Sequence, residues 1–251
     1  MAAIKTEAVV LSASDYSESS RLVSLLTPGQ GKVRLIAKGI RGTKSRQRGS
    51  AEAMSHIEAR FSLKTPGGLG NLMESRVLNP AEYLRQDLAK YAIASTLVEL
   101  LERSALAPDS GQGLFELLRD FLRELRDARD GLGLLARALA TALSELGFRP
   151  ETRLCVSCGQ AEQARSFSVP HGGIVCGNCA AQVQPTVGIN AGLQRALDVL
   201  VNEPEETAKR LRFTGGQLPR LVDLLLDLAQ HHLEIRLNSR VFLSTTLAGR
   251  S

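Results

Sequence analysis

The chain has 251 residues, of which 43% are hydrophobic and 23% charged, and this ordinary globular composition excludes disordered, collagen-like and fibrous proteins. The net charge of +5 lies at one end, because residues 1–80 hold 12 Lys and Arg against 6 Asp and Glu, whereas residues 81–251 hold 19 against 20. Such a basic first third favours contact with a polyanion, although a solvated basic surface would have the same composition.

Residues 1–80 alternate between apolar and polar side chains, which is typical of half-buried β-strands. We predict strands over residues 4–13, 20–27, 32–38 and 57–64 and a fifth ending near Leu78, with turns at 28–31 and 66–68. Five short strands indicate a barrel, because closure removes exposed strand edges. The sequence therefore predicts a five-stranded oligonucleotide-binding (OB) barrel, with an SH3-like barrel as the alternative.

Apolar residues recur at helical spacing from Asn79-Pro80 onward, and their stripes are interpreted as core. Helices are predicted over residues 81–106, 114–125, 131–146, 192–201 and 218–237. The predicted fold class is α+β. Its parts are the OB barrel at residues 1–80, an α-helical domain at 81–150 and 185–251, and an inserted four-cysteine zinc module at 151–184.

The four cysteines form two C-x-x-C pairs separated by seventeen residues, namely Cys155 with Cys158 and Cys176 with Cys179. This spacing is typical of a four-thiolate zinc site, because each pair curls into a tight knuckle and two knuckles complete a tetrahedron. A closed shell of four thiolates leaves no position for water. We therefore predict one structural zinc ion per chain.

No membrane segment or export signal is expected. No stretch approaches the ~20 apolar residues of a membrane span, and the first residues contain no basic segment leading into an apolar one. The protein is predicted to be cytoplasmic, with no membrane partner. Thiols stay reduced in that compartment, which further favours metal ligands over disulfides.

No catalytic motif emerges from the sequence. The segment His231-His232-Leu233-Glu234 has the wrong order for a catalytic zinc helix, and its histidines are interpreted as a half-buried packing pair. His171, between the cysteine pairs, is expected on the surface. Thr43 separates Gly42 from Lys44, so the spacing of a nucleotide-binding P-loop is absent. We predict that the chain is not an enzyme.

Residues 31–50 contain seven cations and no acid. Three of the cations lie on one face of the third predicted strand and four in the following loop, an arrangement that can follow a phosphate backbone and release its counterions. Such contacts position a nucleic acid without reading its bases. The predicted DNA-binding residues are Lys32, Arg34, Lys38, Arg41, Lys44, Arg46 and Arg48.

Other routes to nucleic-acid binding are less favoured by the sequence. Arg119, Arg123 and Arg126 recur along one helix but alternate with acids, so we expect local ion pairs there. Tyr16 and Phe61 are the only aromatic residues in the predicted barrel, and Phe61 has the phase of the buried positions. Stacking on bases is therefore expected to be poor, and binding to depend on phosphates.

Taken together, these residues resemble the RecO family of recombination mediators over nearly the full chain. The most specific element is Ala37–Arg41 followed by Lys44-Ser45-Arg46. Further similar segments are Thr6–Leu11, Asp15–Glu18 with Arg21, Leu26–Pro28 with Gly31-Lys32, Leu146–Pro150, and Leu237–Arg240. The resemblance implies an OB barrel, a helical domain and a zinc module.

The resemblance also implies a function in DNA repair. A RecO-like protein is expected to bind single- and double-stranded DNA, anneal complementary strands and help load recombinase onto DNA coated by single-stranded-DNA-binding protein. Its implied partners are RecR, the C-terminal tail of single-stranded-DNA-binding protein and, indirectly, RecA, and its implied location is the nucleoid. Two other hypotheses stay open, an RNA-binding or translation-associated zinc-ribbon protein and a zinc hydrolase.

Overall fold

The period-two alternation of the first eighty residues produces five β-strands, each overlapping its predicted range. They are β1 (Ile4–Asp15), β2 (Arg21–Thr27), β3 (Gly31–Ala37), β4 (His56–Ser62) and β5 (Gly70–Asn79). The computed structural model describes residues 3–40, 48–65, 67–104, 111–161, 164–213 and 216–248.

The five strands close into a barrel in the order β1-β2-β3-β5-β4. Closure results from β1, which pairs antiparallel with both β2 and β4. The β3 and β5 strands pair in parallel. This order is that of the five-stranded OB barrel, so the OB prediction is confirmed and the SH3-like alternative is set aside.

One face of each strand fills the barrel interior with apolar side chains. In β3 the alternation is strict, since Val33 and Leu35 are buried and Arg34 between them is exposed. Phe61 is fully buried in the same interior cluster, as its phase predicts. The cations of β3 therefore lie on the outer face of the barrel.

The helical spacing after the barrel produces an α-helix in each of the five predicted ranges. In the described part of the chain the helices are α1 (Leu88–Arg103), α2 (Gly111–Asp127), α3 (Gly131–Glu145), α4 (Ala191–Asn202), α5 (Glu205–Ala208), α6 (Gln217–His232) and α7 (Ser239–Ala248). Of these, α5 and α7 are two further helices that the sequence does not predict. None of these helices is long and apolar enough to cross a membrane.

The single helix predicted over residues 81–106 is wrong at its start. Residues Glu82–Gln86 form a 3-10 helix, and α1 begins only after Asp87. The Asp87 carboxylate accepts hydrogen bonds from the backbone N–H groups of Ala89 and Lys90. These bonds satisfy two of the donors that a helix leaves unpaired at its first turn, which fixes the start of α1.

The barrel, α1, α2 and α7 form one compact unit, which comprises Met1–Arg129 and Asn238–Ser251. Helix α2 lies against β1, β2 and β3, and its apolar face is buried as predicted. The buried residues of that face include Leu114, Phe115, Leu118, Phe121, Leu122 and Leu125. Helix α1 contacts β1 and packs against α7.

The second compact unit, Asp130–Leu237, contains α3 to α6 and a small sheet. Helix α3 contacts α4 and α6. The sheet has the order β7-β6-β8, with strands β6 (Ala164–Ser168), β7 (Gly173–Cys176) and β8 (Val187–Gly188). The sequence does not predict these strands, because they are too short for a period-two pattern to be recognised.

The two compact units divide the chain differently from the three predicted modules. The predicted boundary at residue 80 falls inside the first unit, and the cysteine region 151–184 shares the second unit with α3 to α6. The predicted helical domain is therefore split between the units. Whether residues 1–80 fold as an independent domain stays a prediction.

Candidate metal centre and nucleic-acid surface

The four cysteines converge on one point in the second unit. The Sγ atoms of Cys155, Cys158, Cys176 and Cys179 all lie within 4.8 Å of one another, and those of Cys158 and Cys176 are 3.9 Å apart. Sulfurs at the corners of a tetrahedron around zinc lie about 3.8 Å apart, because each Zn–S bond is about 2.3 Å long. The cluster therefore has the size of a metal site.

Each C-x-x-C pair forms a tight backbone knuckle. In the first, the Gly159 N–H donates to the Cys155 carbonyl at 2.8 Å, and Gly159 adopts a φ of +71° that suits glycine. In the second, the N–H groups of Cys179 and Ala180 donate to the Cys176 carbonyl at 3.2 and 3.1 Å. Strand β7 ends at Cys176, so the small sheet positions the second knuckle beside the first.

Backbone amides lower the pKa of the Cys155 thiol, whereas burial and neighbouring thiols raise that of Cys176. Burial raises the pKa of the Cys155 thiol, but backbone N–H donors, first among them that of Cys176, outweigh it and lower this pKa to about 6. Burial and the neighbouring Cys179 and Cys155 thiols raise the pKa of Cys176 to about 12. Like charges so close cannot all form alone. The site is therefore suited to ionise fully only around a cation.

The histidines lie outside this cluster. His171 is exposed, as predicted, and its Nδ1 lies 2.9 Å from the Ser168 hydroxyl. His232 is partly buried, stacks on Phe148 with ring centroids 5.4 Å apart, and donates from Nε2 to the Val169 carbonyl at 2.8 Å. The predicted packing role thus applies to His232, whereas its neighbour His231 is exposed.

The basic strand of the barrel presents two described cations to solvent. Arg34 in β3 and Lys38 just after it are both exposed, and the chain then turns at Gly39, whose φ is +67°. Arg48 begins a 3-10 helix over Arg48–Ala51. The remaining predicted loop cations, Arg41, Lys44 and Arg46, lie outside the described residues, so their DNA contacts stay predictions.

Lys32 lies on the outer face of β3, but its ammonium group is bonded within the protein. Its Nζ donates to the carbonyls of Glu102 at 2.5 Å and Ser104 at 2.6 Å, at the end of α1. The Glu102 carboxylate accepts hydrogen bonds from the hydroxyls of Ser12 at 3.0 Å and Ser24 at 2.6 Å. Burial lowers the pKa of Lys32, while the charge of Glu102 opposes this. The structure thus places Lys32 as a cap of α1.

Replacing Lys32 with Met is expected to lower stability without changing the salt dependence of DNA binding. Loss of a charged donor to two carbonyls costs roughly 1.5–3 kcal/mol of unfolding free energy. The matched change Arg34→Met removes the same charge two residues along the same face. It is expected to leave stability within about 0.5 kcal/mol and to reduce the log–log salt slope by about 0.7.

Urea denaturation and DNA titrations at several salt concentrations measure both quantities for this pair. Equal flattening of the salt slope by Lys32→Met and Arg34→Met would show that Lys32 contacts phosphate, and the capping role would then be wrong.

Cations on the other barrel strands β1, β4 and β5 are paired with acids. Lys5 in β1 and Arg76 in β5 lie 3.3 and 3.8 Å from the carboxylate of Glu58 in β4. Arg60 lies 2.5 Å from Glu74, and its hydrogen bond lowers the pKa of that carboxyl group. Acids beside these cations repel phosphates, so the outer faces of these strands are poorer phosphate surfaces than that of β3.

The arginines of α2 also behave largely as predicted. Arg119 and Arg123 lie 2.9 and 3.2 Å from the Asp120 carboxylate. Arg126 differs from the expected ion pair, because its guanidinium stacks 5.3 Å above the Tyr83 ring and donates to the Asn79 side chain. These contacts engage all three arginines within the first unit.

Comparison with known proteins gives the family. The model described as Recombination protein O N terminal matches residues 1–81, and the model described as Recombination protein O C terminal matches residues 85–241. The chain belongs to the RecO family.

Relatives with the name DNA repair protein RecO align along most of this RecO chain. The protein of Desulforudis audaxviator is 31% identical over 243 residues, 95% of each chain. That of Pelotomaculum thermopropionicum is 30% identical over 241 residues, 95% of this chain and 93% of its own. That of Bacillus pumilus is 35% identical over 176 residues, 70% and 68% of the two chains. The RecO resemblance is confirmed, and it supports a role in DNA repair and recombination.

Proposed function

We propose that this RecO chain is a recombination mediator of DNA repair. It binds single- and double-stranded DNA largely without sequence preference, anneals complementary strands and helps load recombinase onto DNA coated by single-stranded-DNA-binding protein. Membership of the RecO family carries the proposal. The proposed protein partners are RecR, the C-terminal tail of single-stranded-DNA-binding protein and, indirectly, RecA. The proposed location is the cytoplasm, in association with the nucleoid.

The outer face of β3 and the loop after it form the proposed DNA surface. Exposure of Arg34 and Lys38 supports this placement, and so does the pairing of other barrel cations with acids. Phosphate contacts do not read bases, which supports binding without sequence preference. Lys32 is left out of the contact set, because its ammonium caps α1. The proposed contacts are Arg34, Lys38, Arg41, Lys44, Arg46 and Arg48.

The cysteine cluster is proposed to hold one structural zinc ion. Four thiolates at this spacing suit zinc in tetrahedral geometry. When bound, the ion would supply folding energy to the cysteine region. Sulfur would fill all four positions and leave none for water or substrate, which disfavours the zinc hydrolase hypothesis. No catalytic role is proposed for the protein.

The RNA-binding hypothesis would use the same barrel and the same cations. Competition between DNA and RNA strands of equal length and sequence distinguishes the two. Membership of a family named for DNA repair favours DNA. Markedly tighter binding to RNA would instead favour the zinc-ribbon alternative.

Annealing of coated strands tests the proposed function directly. Complementary oligonucleotides carrying a fluorescence donor and acceptor are first saturated with single-stranded-DNA-binding protein, and this protein is then added. We expect duplex formation to accelerate, and no signal with non-complementary strands. A chain that binds DNA normally yet leaves the rate of duplex formation unchanged would overturn the proposed annealing.

A further inference from the structure

Tyr16 is an exposed aromatic residue at one rim of the barrel. It is 57% exposed and lies in the turn between β1 and β2. Single exposed apolar residues are normal on protein surfaces, so exposure alone assigns no role. The position of Tyr16 relative to the basic strand β3 is what indicates a role for the ring.

The turn that holds Tyr16 is ordered by its own hydrogen bonds. The backbone N–H groups of Tyr16 and Ser17 donate to the Ser20 carbonyl at 3.0 and 3.2 Å. Arg21, which starts β2, donates from Nε to Asp15 at 3.4 Å and from Nη1 to the Ala51 carbonyl at 3.3 Å. Ring placement in an ordered turn reduces the entropy lost when a ligand binds it.

Strand register brings this turn to the same rim as the exposed end of the basic strand. Asp15 pairs with Arg21, and Arg21 pairs with Ala37. Because neighbouring strands lie about 4.8 Å apart, the ends of β1 and β3 are roughly 10 Å apart at this rim. Tyr16 follows the first end and the exposed Lys38 follows the second.

The charges at this rim separate a phosphate side from a base side. Lys38 and the other β3 cation, Arg34, attract phosphates. Glu18, two residues after Tyr16 in the turn, repels phosphates, whereas the carboxylate of Asp15 before Tyr16 is paired with Arg21. A strand whose phosphates follow β3 therefore has its bases, rather than its backbone, directed to the turn.

We propose that Tyr16 is a stacking site for one unpaired base of the bound strand. The inference rests on the proposed function, since the β3 cations must hold the phosphates. An aromatic face accepts any base, so the site adds affinity without sequence preference. In a duplex the bases are already stacked and their faces are covered. Tyr16 thus adds a preference for single strands that phosphate contacts alone do not provide.

A tryptophan at this position reports stacking directly. The chain has no Trp, so Tyr16→Trp introduces a single tryptophan, whose emission can be excited selectively and is quenched by stacking. We expect quenching by oligo(dT), and none by an abasic strand of equal length or by a hairpin duplex of equal charge. The matched control is Tyr91→Trp, on α1, where Tyr91 is 42% exposed and contacts Phe242. Its emission is expected to stay unchanged with every probe.

Affinity measurements complete the test. Tyr16→Ala is expected to weaken oligo(dT) binding about tenfold, a loss typical of one stacked base. Duplex affinity and the salt slope should stay as in the parent protein, and Tyr16→Phe should retain oligo(dT) affinity because the ring is kept.

Two outcomes separate the inference from the proposed function. The stacking site is overturned if oligo(dT) leaves the emission of the Tyr16→Trp protein unchanged, or if Tyr16→Ala binds oligo(dT) as tightly as the parent protein. Either result counts against stacking even if Arg34→Met flattens the salt slope and so supports the DNA surface. An unchanged salt slope for Arg34→Met combined with Lys38→Met overturns the proposed DNA surface, on which the stacking site depends.

Discussion

Replacing Cys155 and Cys176 together with serine is expected to abolish metal binding and unfold the cysteine region. The three strands beside it have only 5, 4 and 2 residues, too few for a sheet that is stable on its own. Structural zinc contributes about 10–16 kcal/mol of apparent binding energy in small zinc-dependent folds. Domains are stable by only about 5–15 kcal/mol in total. We therefore expect the second unit to lose more than about 5 kcal/mol of stability.

Metal analysis by mass spectrometry and thermal unfolding measure this effect. The parent protein is expected to carry one zinc ion per chain, and chelation followed by zinc addition should lower and restore its unfolding temperature. Two matched controls, Ser157→Ala inside the first knuckle and His171→Ala between the knuckles, change exposed residues that are not thiols. Both should keep the metal and the unfolding temperature. A parent protein without metal, whose four thiols titrate freely in the native state, would contradict the structural site.

Local patterns explain why much of the fold can be predicted from the sequence. Each barrel strand carries its own alternation, and closure follows from the need to cover strand edges. Helix ends are harder to predict from the sequence. The sequence extends the last long helix to residue 237, but α6 ends at His232 and Glu234 adopts a φ of +54°. A left-handed residue that is not glycine has no clear sequence signal. The start of α1 at Leu88 does have one, the capping Asp87 before an apolar run.

The two candidate sites also differ in how well the sequence predicts them. The metal ligands can be predicted because each pair is local and only seventeen residues separate the pairs. The role of Lys32 cannot, because the carbonyls that accept its hydrogen bonds lie 70 and 72 residues away at the end of α1. The sequence groups Lys32 and Arg34 as DNA-binding cations of one strand face. In the folded protein Lys32 is bonded to the end of α1, whereas Arg34 is exposed. Distant contacts of this kind are set by the fold and leave no pattern in the neighbouring residues.

Changing Lys38, Arg41, Lys44 and Arg46 together to alanine is expected to produce the largest loss of DNA binding. Each phosphate contact on a single strand contributes about 0.7 to the log–log salt slope, so loss of four contacts flattens the slope by about 3. Affinity at physiological salt should fall on the order of a hundredfold. The loss should be equal for unrelated sequences, because backbone contacts do not read bases. Fluorescence anisotropy over a range of salt concentrations measures both quantities.

A control with the same change in net charge separates location from charge. Lys5, Arg60, Arg76 and Arg85 are exposed or partly exposed cations of the same unit, each near a carboxylate. Their fourfold change to alanine removes as many charges as the loop variant does. Surface ion pairs contribute little to stability, about 0–1 kcal/mol each, so the control protein should stay folded. Its salt slope should stay near that of the parent, because the acids beside these cations already keep phosphates away. Equal flattening by both variants would mean that DNA responds only to the overall charge of the unit, and the β3 surface would then have no special role.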